Sequence, residues 1–175
     1  MLAPFGGRAI CVLKKPREIF SRGDFLRLKI KILGAGKIVT GSCYGLEIKG
    51  EKILIDCGMF QGSKDLERLN YADFTINPKE YSALILTHAH LDHCGRIPKL
   101  VKYGFRGKIF ATDATRDLAE IIMLDSANIA KKDTAYENER RAKEGLPARK
   151  PIYSEEDVKI AMKLFEIAPY GQDIK

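Results

Sequence analysis

The chain has 175 residues, 45% of them hydrophobic and 30% charged, with a formal net charge of +7. That is the profile of one ordinary globular domain. No run of eighteen apolar residues occurs, which excludes a transmembrane helix read from hydropathy. The four cysteines, Cys11, Cys43, Cys57 and Cys94, form no C-x-x-C pair. This argues against a disulfide framework or a zinc ribbon and fits a reducing cytoplasm.

Residues 1–27 show no clear periodicity, and Pro4, Gly6, Gly7, Pro16 and Gly23 break any helix. Six basic residues stand there against Glu18 and Asp24, so this segment carries +4 and the remainder +3. A basic balance suits a polyanion such as RNA. The apolar run from Ala9 to Leu13 is too short for a secretory signal. The segment reads as a basic N-terminal extension, disordered, a transit peptide, or not native to the working protein.

From residue 28 the pattern becomes regular. Leu28, Ile30 and Ile32 alternate as on a half-buried strand. Gly34-Ala35-Gly36 is a glycine turn; Val39 stands where a dinucleotide fingerprint needs its third glycine. Cys43 to Ile48 and Lys52 to Ile55 read as a hairpin closed by Lys49-Gly50-Glu51. Residues 63–71 suggest a short helix, and Asn77-Pro78 a turn. Ala83 to Leu86 is a buried strand. Ile97, Leu100 and Val101 have helical spacing, with an end at Gly104. Lys108 to Ala111 is a short strand. A helix over about 113–130 starts at Thr112 or Asp113, and Leu118, Ile121, Ile122 and Ile129 suggest its core face. Asp125 interrupts that stripe, as a surface aspartate or as a group near a cleft. Residues 131–150, seven basic against four acidic, read as a solvated helix and loop. Ser154 to Asp157 caps a last helix, with Val158, Met162 and Phe165 inward.

All three histidines lie in Thr87-His88-Ala89-His90-Leu91-Asp92-His93, directly after the strand at 83–86. In an extended segment alternate side chains point the same way, so His88 and His90 can face one point. Imidazole nitrogens and a carboxylate oxygen are ligands a zinc-like ion takes at about 2.0–2.2 Å. A few solvated or core histidines would be the plain alternative, but histidine is otherwise absent and the spacing is dense. Cys94 follows as either a soft extra ligand or a small residue packed at a helix start.

The stretch resembles the H-x-H-x-D-H signature of the metallo-β-lactamase superfamily, matched by His88, His90, Asp92 and His93. The resemblance implies two zinc ions, with His88 and His90 on the first and Asp92 and His93 on the second. Asp92 also carries the catalytic assignment. The family's aspartate behind the histidines is matched by Asp56, in Ile53-Leu54-Ile55-Asp56-Cys57-Gly58. It implies that Asp56 orients a ligand imidazole. The turn 34–42, the loop Asp56 to Gly62, and the segments 95–99, 111–115 and 151–157 resemble the β-CASP branch of RNA-processing nucleases. What this implies is an α/β fold, the first half of an αββα sandwich spanning residues 28–175, with Leu28 as a natural start. The implied reaction is metal-dependent RNA phosphodiester hydrolysis.

The chain also departs from the family, whose members carry downstream a further histidine for each metal, a bridging aspartate and an inserted RNA-cleft domain. No histidine follows His93. The expectation is therefore a domain truncated before its remaining ligands, inactive alone, that self-associates or pairs with a missing C-terminal half. A glyoxalase-type thioesterase, or a non-catalytic remnant that binds RNA or a partner, are the competing classes.

Overall fold

The computed structural model describes residues 18–20 and 28–173. Seven strands form one sheet in sequence order: β1 (Glu18–Phe20), β2 (Leu28–Ile32), β3 (Tyr44–Ile48), β4 (Glu51–Ile55), β5 (Ala83–Ile85), β6 (Lys108–Ala111) and β7 (Phe165–Ile167). β1 to β4 pair antiparallel, and β4 to β7 pair parallel. The antiparallel half needs only tight turns. Lys49 and Gly50 have φ of 51° and 90°, the left-handed pair that joins twisted strands in a two-residue hairpin. The parallel half needs crossovers, and these hold the helices.

The crossovers supply α1 (Lys64–Arg68), α2 (Leu91–Cys94), α3 (Ile97–Lys102), α4 (Asp113–Lys143) and α5 (Glu155–Met162). Leu54, Leu84 and Ile109 stand level on adjacent strands and are fully buried with Ile97, Leu100, Met123 and Val158. Each such side chain contributes about 1.5–3 kcal/mol of burial. The alternate residues Ile53, Ile55 and Phe110 on the opposite face are only half-buried, and Ile85 is exposed. The sheet thus has one covered face and one open apolar face.

The expected α/β class and mixed sheet over 28–111 are present. Glu18–Phe20 pairs with β2, although its sequence gave no periodic signal. The expectation of an extension concerns, for the rest of residues 1–27, positions outside the described residues. Three expectations change. α4 runs on to Lys143, because no glycine or proline interrupts it before Gly145. Its core face is Ala119, Met123 and Ala127, while Leu118, Ile121 and Ile129 are 51–64% exposed. Small alanines let the helix approach α2 and α5, and the large residues counted as core point outward. Phe165 belongs to β7 rather than to α5, which ends at Met162.

Candidate metal centre

β5 ends at Ile85, and the backbone stays extended through the histidine loop until α2 begins at Leu91. His90 is the last extended residue, at φ −60° and ψ 145°. A second loop, residues 56–59 after β4, lies against this one and is bonded to it through backbone. Cys57 N donates to His93 O at 2.8 Å, Met59 N to Leu91 O at 2.9 Å, and Arg96 N to Cys57 O at 2.8 Å. Ser42 N donates to Asp92 O at 2.9 Å, which adds a third strand of chain. The approach admits only glycine at 58, where a Cβ would stand 1.6 Å from Asp92 O.

Asp56 is the hub. It is 2% exposed and held at φ 57°, a left-handed conformation that costs a non-glycine residue about 1–3 kcal/mol. The bonds it makes offset that strain. Its carboxylate accepts from Thr87 N at 2.9 Å, from Thr87 Oγ1 at 2.9 Å, from Ser42 Oγ at 3.4 Å, and from His93 Nδ1 at 2.7 Å. Thr87 Oγ1 lies 3.1 Å from His88 Nδ1. The hydroxyl has one proton, and the carboxylate takes it, so Nδ1 of His88 must be the donor to Thr87. With Asp56 ionised, this arrangement suits the tautomer that carries a proton on Nδ1 of both rings. One buried carboxylate sets the tautomer of two imidazoles, directly for His93 and through Thr87 for His88.

The three rings stand together. Ring centres are 4.6 Å apart for His88 and His90, and 3.9 Å for His88 and His93. His93 Nε2 is 3.7 Å from Asp92 Oδ2. Two donors sharing a tetrahedral ion at about 2.1 Å stand roughly 3.4 Å apart, close to that separation. Burial holds the His88 imidazole below its ordinary range, and the neighbouring His93 and His90 lower it further. The neutral ring is the form that binds metal. The His93–Asp92 separation suits a shared zinc-type ion; among the described residues no three acids, histidines or cysteines converge as a cage for one ion.

The four motif residues and Asp56 come together as the sequence suggested. Cys94 does not join them. It is fully buried, its Sγ donates to Ala89 O at 3.2 Å, and burial pushes the thiol up to about 12. Asp125 is exposed and forms no ion pair among the described residues. Sequence reasoning missed Thr87 and Ser42. Thr87 was legible in principle, because a hydroxyl residue directly before the first histidine can reach its neighbour's ring.

Residues 36–109 match the family model described as the metallo-beta-lactamase superfamily. That matched stretch is a metallo-β-lactamase superfamily segment. The chain's similarity runs to that superfamily's β-CASP, RNA-processing members. The ribonuclease TTHA0252 of Thermus thermophilus is 48% identical over 58% of this chain and 23% of its own length. The transcription termination factor FttA of Methanocaldococcus jannaschii is 38% identical over 67% of this chain and 18% of its own. The cleavage and polyadenylation specificity factor 73 of Drosophila melanogaster is 34% identical over 83% of this chain and 19% of its own. The chain thus spans about a fifth of these relatives' length. Among solved structures, a Cronobacter sakazakii metallo-β-lactamase motif variant is 23% identical, covering 50% of this chain and 32% of that one, at a TM-score of 0.37. A Thermotoga maritima flavo di-iron protein variant is 20% identical, covering 61% and 30%, at a TM-score of 0.39.

Proposed function

We propose that this chain carries the metal-binding part of an RNA phosphodiester hydrolase that works with two zinc ions. The observation that carries the reading is the Asp56–Thr87–His88–His93 network, which holds the His88 and His93 rings beside His90 and Asp92. His88 and His90 would hold one ion, and Asp92 and His93 the other. Bound there, the metal would supply a hydroxide at neutral pH and neutralise charge on the phosphate. Asp56 keeps the Nδ1 protons in place, so the rings do not turn. None of the three imidazoles is left to protonate the leaving oxygen. The similarity to proteins named as a ribonuclease, a termination factor and a cleavage factor supports RNA as substrate.

A catalytic zinc takes three protein ligands, and each pair here supplies two. Residues 1–175 alone should bind metal and cleave RNA poorly until further ligands join the site. Three buried free thiols support a reducing, cytoplasmic setting, and no helix of the described residues is long and apolar enough to cross a membrane. The open apolar sheet face supports self-association, which sedimentation would reveal; a stable monomer would contradict it. The reaction class is tested by supplying the site-completing residues and assaying RNA against a thioester panel. Chelator-sensitive RNA cleavage lost in His90→Ala is the expected result, and thioester hydrolysis without RNA cleavage would overturn it.

A further inference from the structure

Three residues past the last histidine, Arg96 stands as the N-cap of α3 and is 6% exposed. Its Nε donates to Gly58 O at 2.6 Å, which ties it to the loop behind the metal centre. Its guanidinium carbon lies 4.4 Å from the centre of the Phe60 ring and 5.6 Å from that of Phe74. Among the described residues, Nη1 and Nη2 meet no hydrogen-bond acceptor. They are not sealed from solvent, since Tyr153 Oη is the one fully buried side-chain polar atom without a partner among the described residues. The nearby Lys99 differs, because its ammonium is spent on Asn70 O at 2.7 Å and Ala72 O at 2.5 Å.

Arg96 lines a cavity of about 180 Å³ with Leu33, Phe60, Leu69, Phe74 and Ile76, and Asp73 is the one acid in its lining. Asp73 is exposed, so the cavity opens on its side, and its Oδ1 accepts from the Tyr103 hydroxyl at 3.0 Å. Asp73 Oδ2 has no donor among the described residues. A free phosphate would meet one guanidinium, apolar walls and a like charge. A planar base would instead find phenylalanine rings, a guanidinium and a carboxylate in one lining. The volume is below the roughly 300 Å³ of a drug-sized site, and suits a single ring system.

We propose that this cavity binds a nucleobase, guanine best, with Arg96 donating to its acceptor edge and Asp73 accepting from its N–H groups. Arginine and the O6/N7 edge of guanine are geometrically matched partners, and guanine also carries N1–H and N2–H for a carboxylate. The proposal rests on the RNA reading above and places a base-recognition subsite beside loop 56–60, to which Arg96 is bonded at Gly58 O.

The test needs neither metal nor RNA. The 175-residue protein, in chelator, is titrated with GMP, AMP, CMP, UMP and inorganic phosphate and followed by NMR. GMP should bind at least tenfold tighter than phosphate and shift the Phe74 and Arg96 signals. Asp73→Asn, at an exposed position where the Tyr103 bond can persist, should lose the preference for GMP at least tenfold while circular dichroism stays unchanged. Equal binding of all four nucleotides and phosphate would overturn the proposal, as would GMP binding unaffected by Asp73→Asn. Failure here leaves RNA hydrolysis standing, and absence of hydrolysis leaves this binding standing.

Discussion

The loops around Asp56 and the distal half of α4 are opposite ways of ordering polar residues. Around Asp56, a buried carboxylate gathers the buried Ser42 hydroxyl, the Thr87 hydroxyl and the half-buried His93 imidazole, and three stretches of backbone bond across. Along residues 131–143 the side chains face water, and Thr134 is the one buried residue among them. Its ties are peripheral: Asn138 bonds both N and O of Arg149, and Arg149 pairs with Glu137 at 3.3 Å. Buried polar groups must be mutually satisfied, so each one constrains the next. Solvated ones constrain little. Substitutions should therefore be felt sharply in the first region and barely in the second.

The largest effect is expected at Gly58. An added Cβ would lie 1.6 Å from Asp92 O and 1.9 Å from its carbonyl carbon, both backbone atoms that cannot swing away. Gly58→Ala should lose more than about 4 kcal/mol, the exceptional end of single substitutions, and urea unfolding by circular dichroism would measure it. A change under 1 kcal/mol would mean the loops are not locked together.

Asp56→Ala comes next. It relieves a left-handed backbone poorly and leaves the buried Ser42 hydroxyl, Thr87 N–H and His93 Nδ1 without their shared acceptor. About 2–4 kcal/mol of stability should go, on the cost of unmet buried hydrogen bonds. A smaller effect is expected at Lys99, which burial pulls down to about 8, with Arg96 adding to the shift. The unfolded chain keeps its lysine proton to about 10.4. Between these values the unfolded state binds more protons, so the Lys99 contribution to stability rises with pH. Against Lys99→Met, the wild type should gain ground from about pH 8 towards pH 10 in parallel denaturation series; a flat difference would show that the carbonyls of Asn70 and Ala72 keep the charge. Tyr136→Ser on α4, 77% exposed in the wild type, should stay within about 0.5 kcal/mol.

The metal cluster was legible because its signal is chemical identity: three histidines and an aspartate in seven residues, after a strand of apolar β-formers. Asp56 was legible only as a position behind that cluster. Its left-handed φ and its link through Thr87 are products of the fold, since residues 31 apart in sequence meet there. The open sheet face was expected only through the resemblance to half of an αββα sandwich, because Ala83 to Leu86 read as a buried strand while Ile85 is exposed. The core face of α4 did not, because counting large apolar residues overlooks alanines that pack by being small. β7 escaped because a Phe-Glu-Ile strand of three residues is too short to alternate visibly. Arg96 carried no signal: a lone arginine before a helix looks solvated until aromatic rings from two other segments enclose it.

The central claim is that one buried carboxylate prepares two imidazoles to hold metal. Zinc affinity, measured by competition with a chromophoric chelator on the wild type, Asp56→Asn and Thr87→Val, tests it most directly. Asp56→Asn should weaken zinc about 10–100-fold, the usual effect of removing a partner behind a metal ligand. Thr87→Val should weaken it less, since the His93 bond to Asp56 remains. Unchanged affinity in both variants, or wild-type affinity in His88→Ala or His90→Ala, would contradict the account.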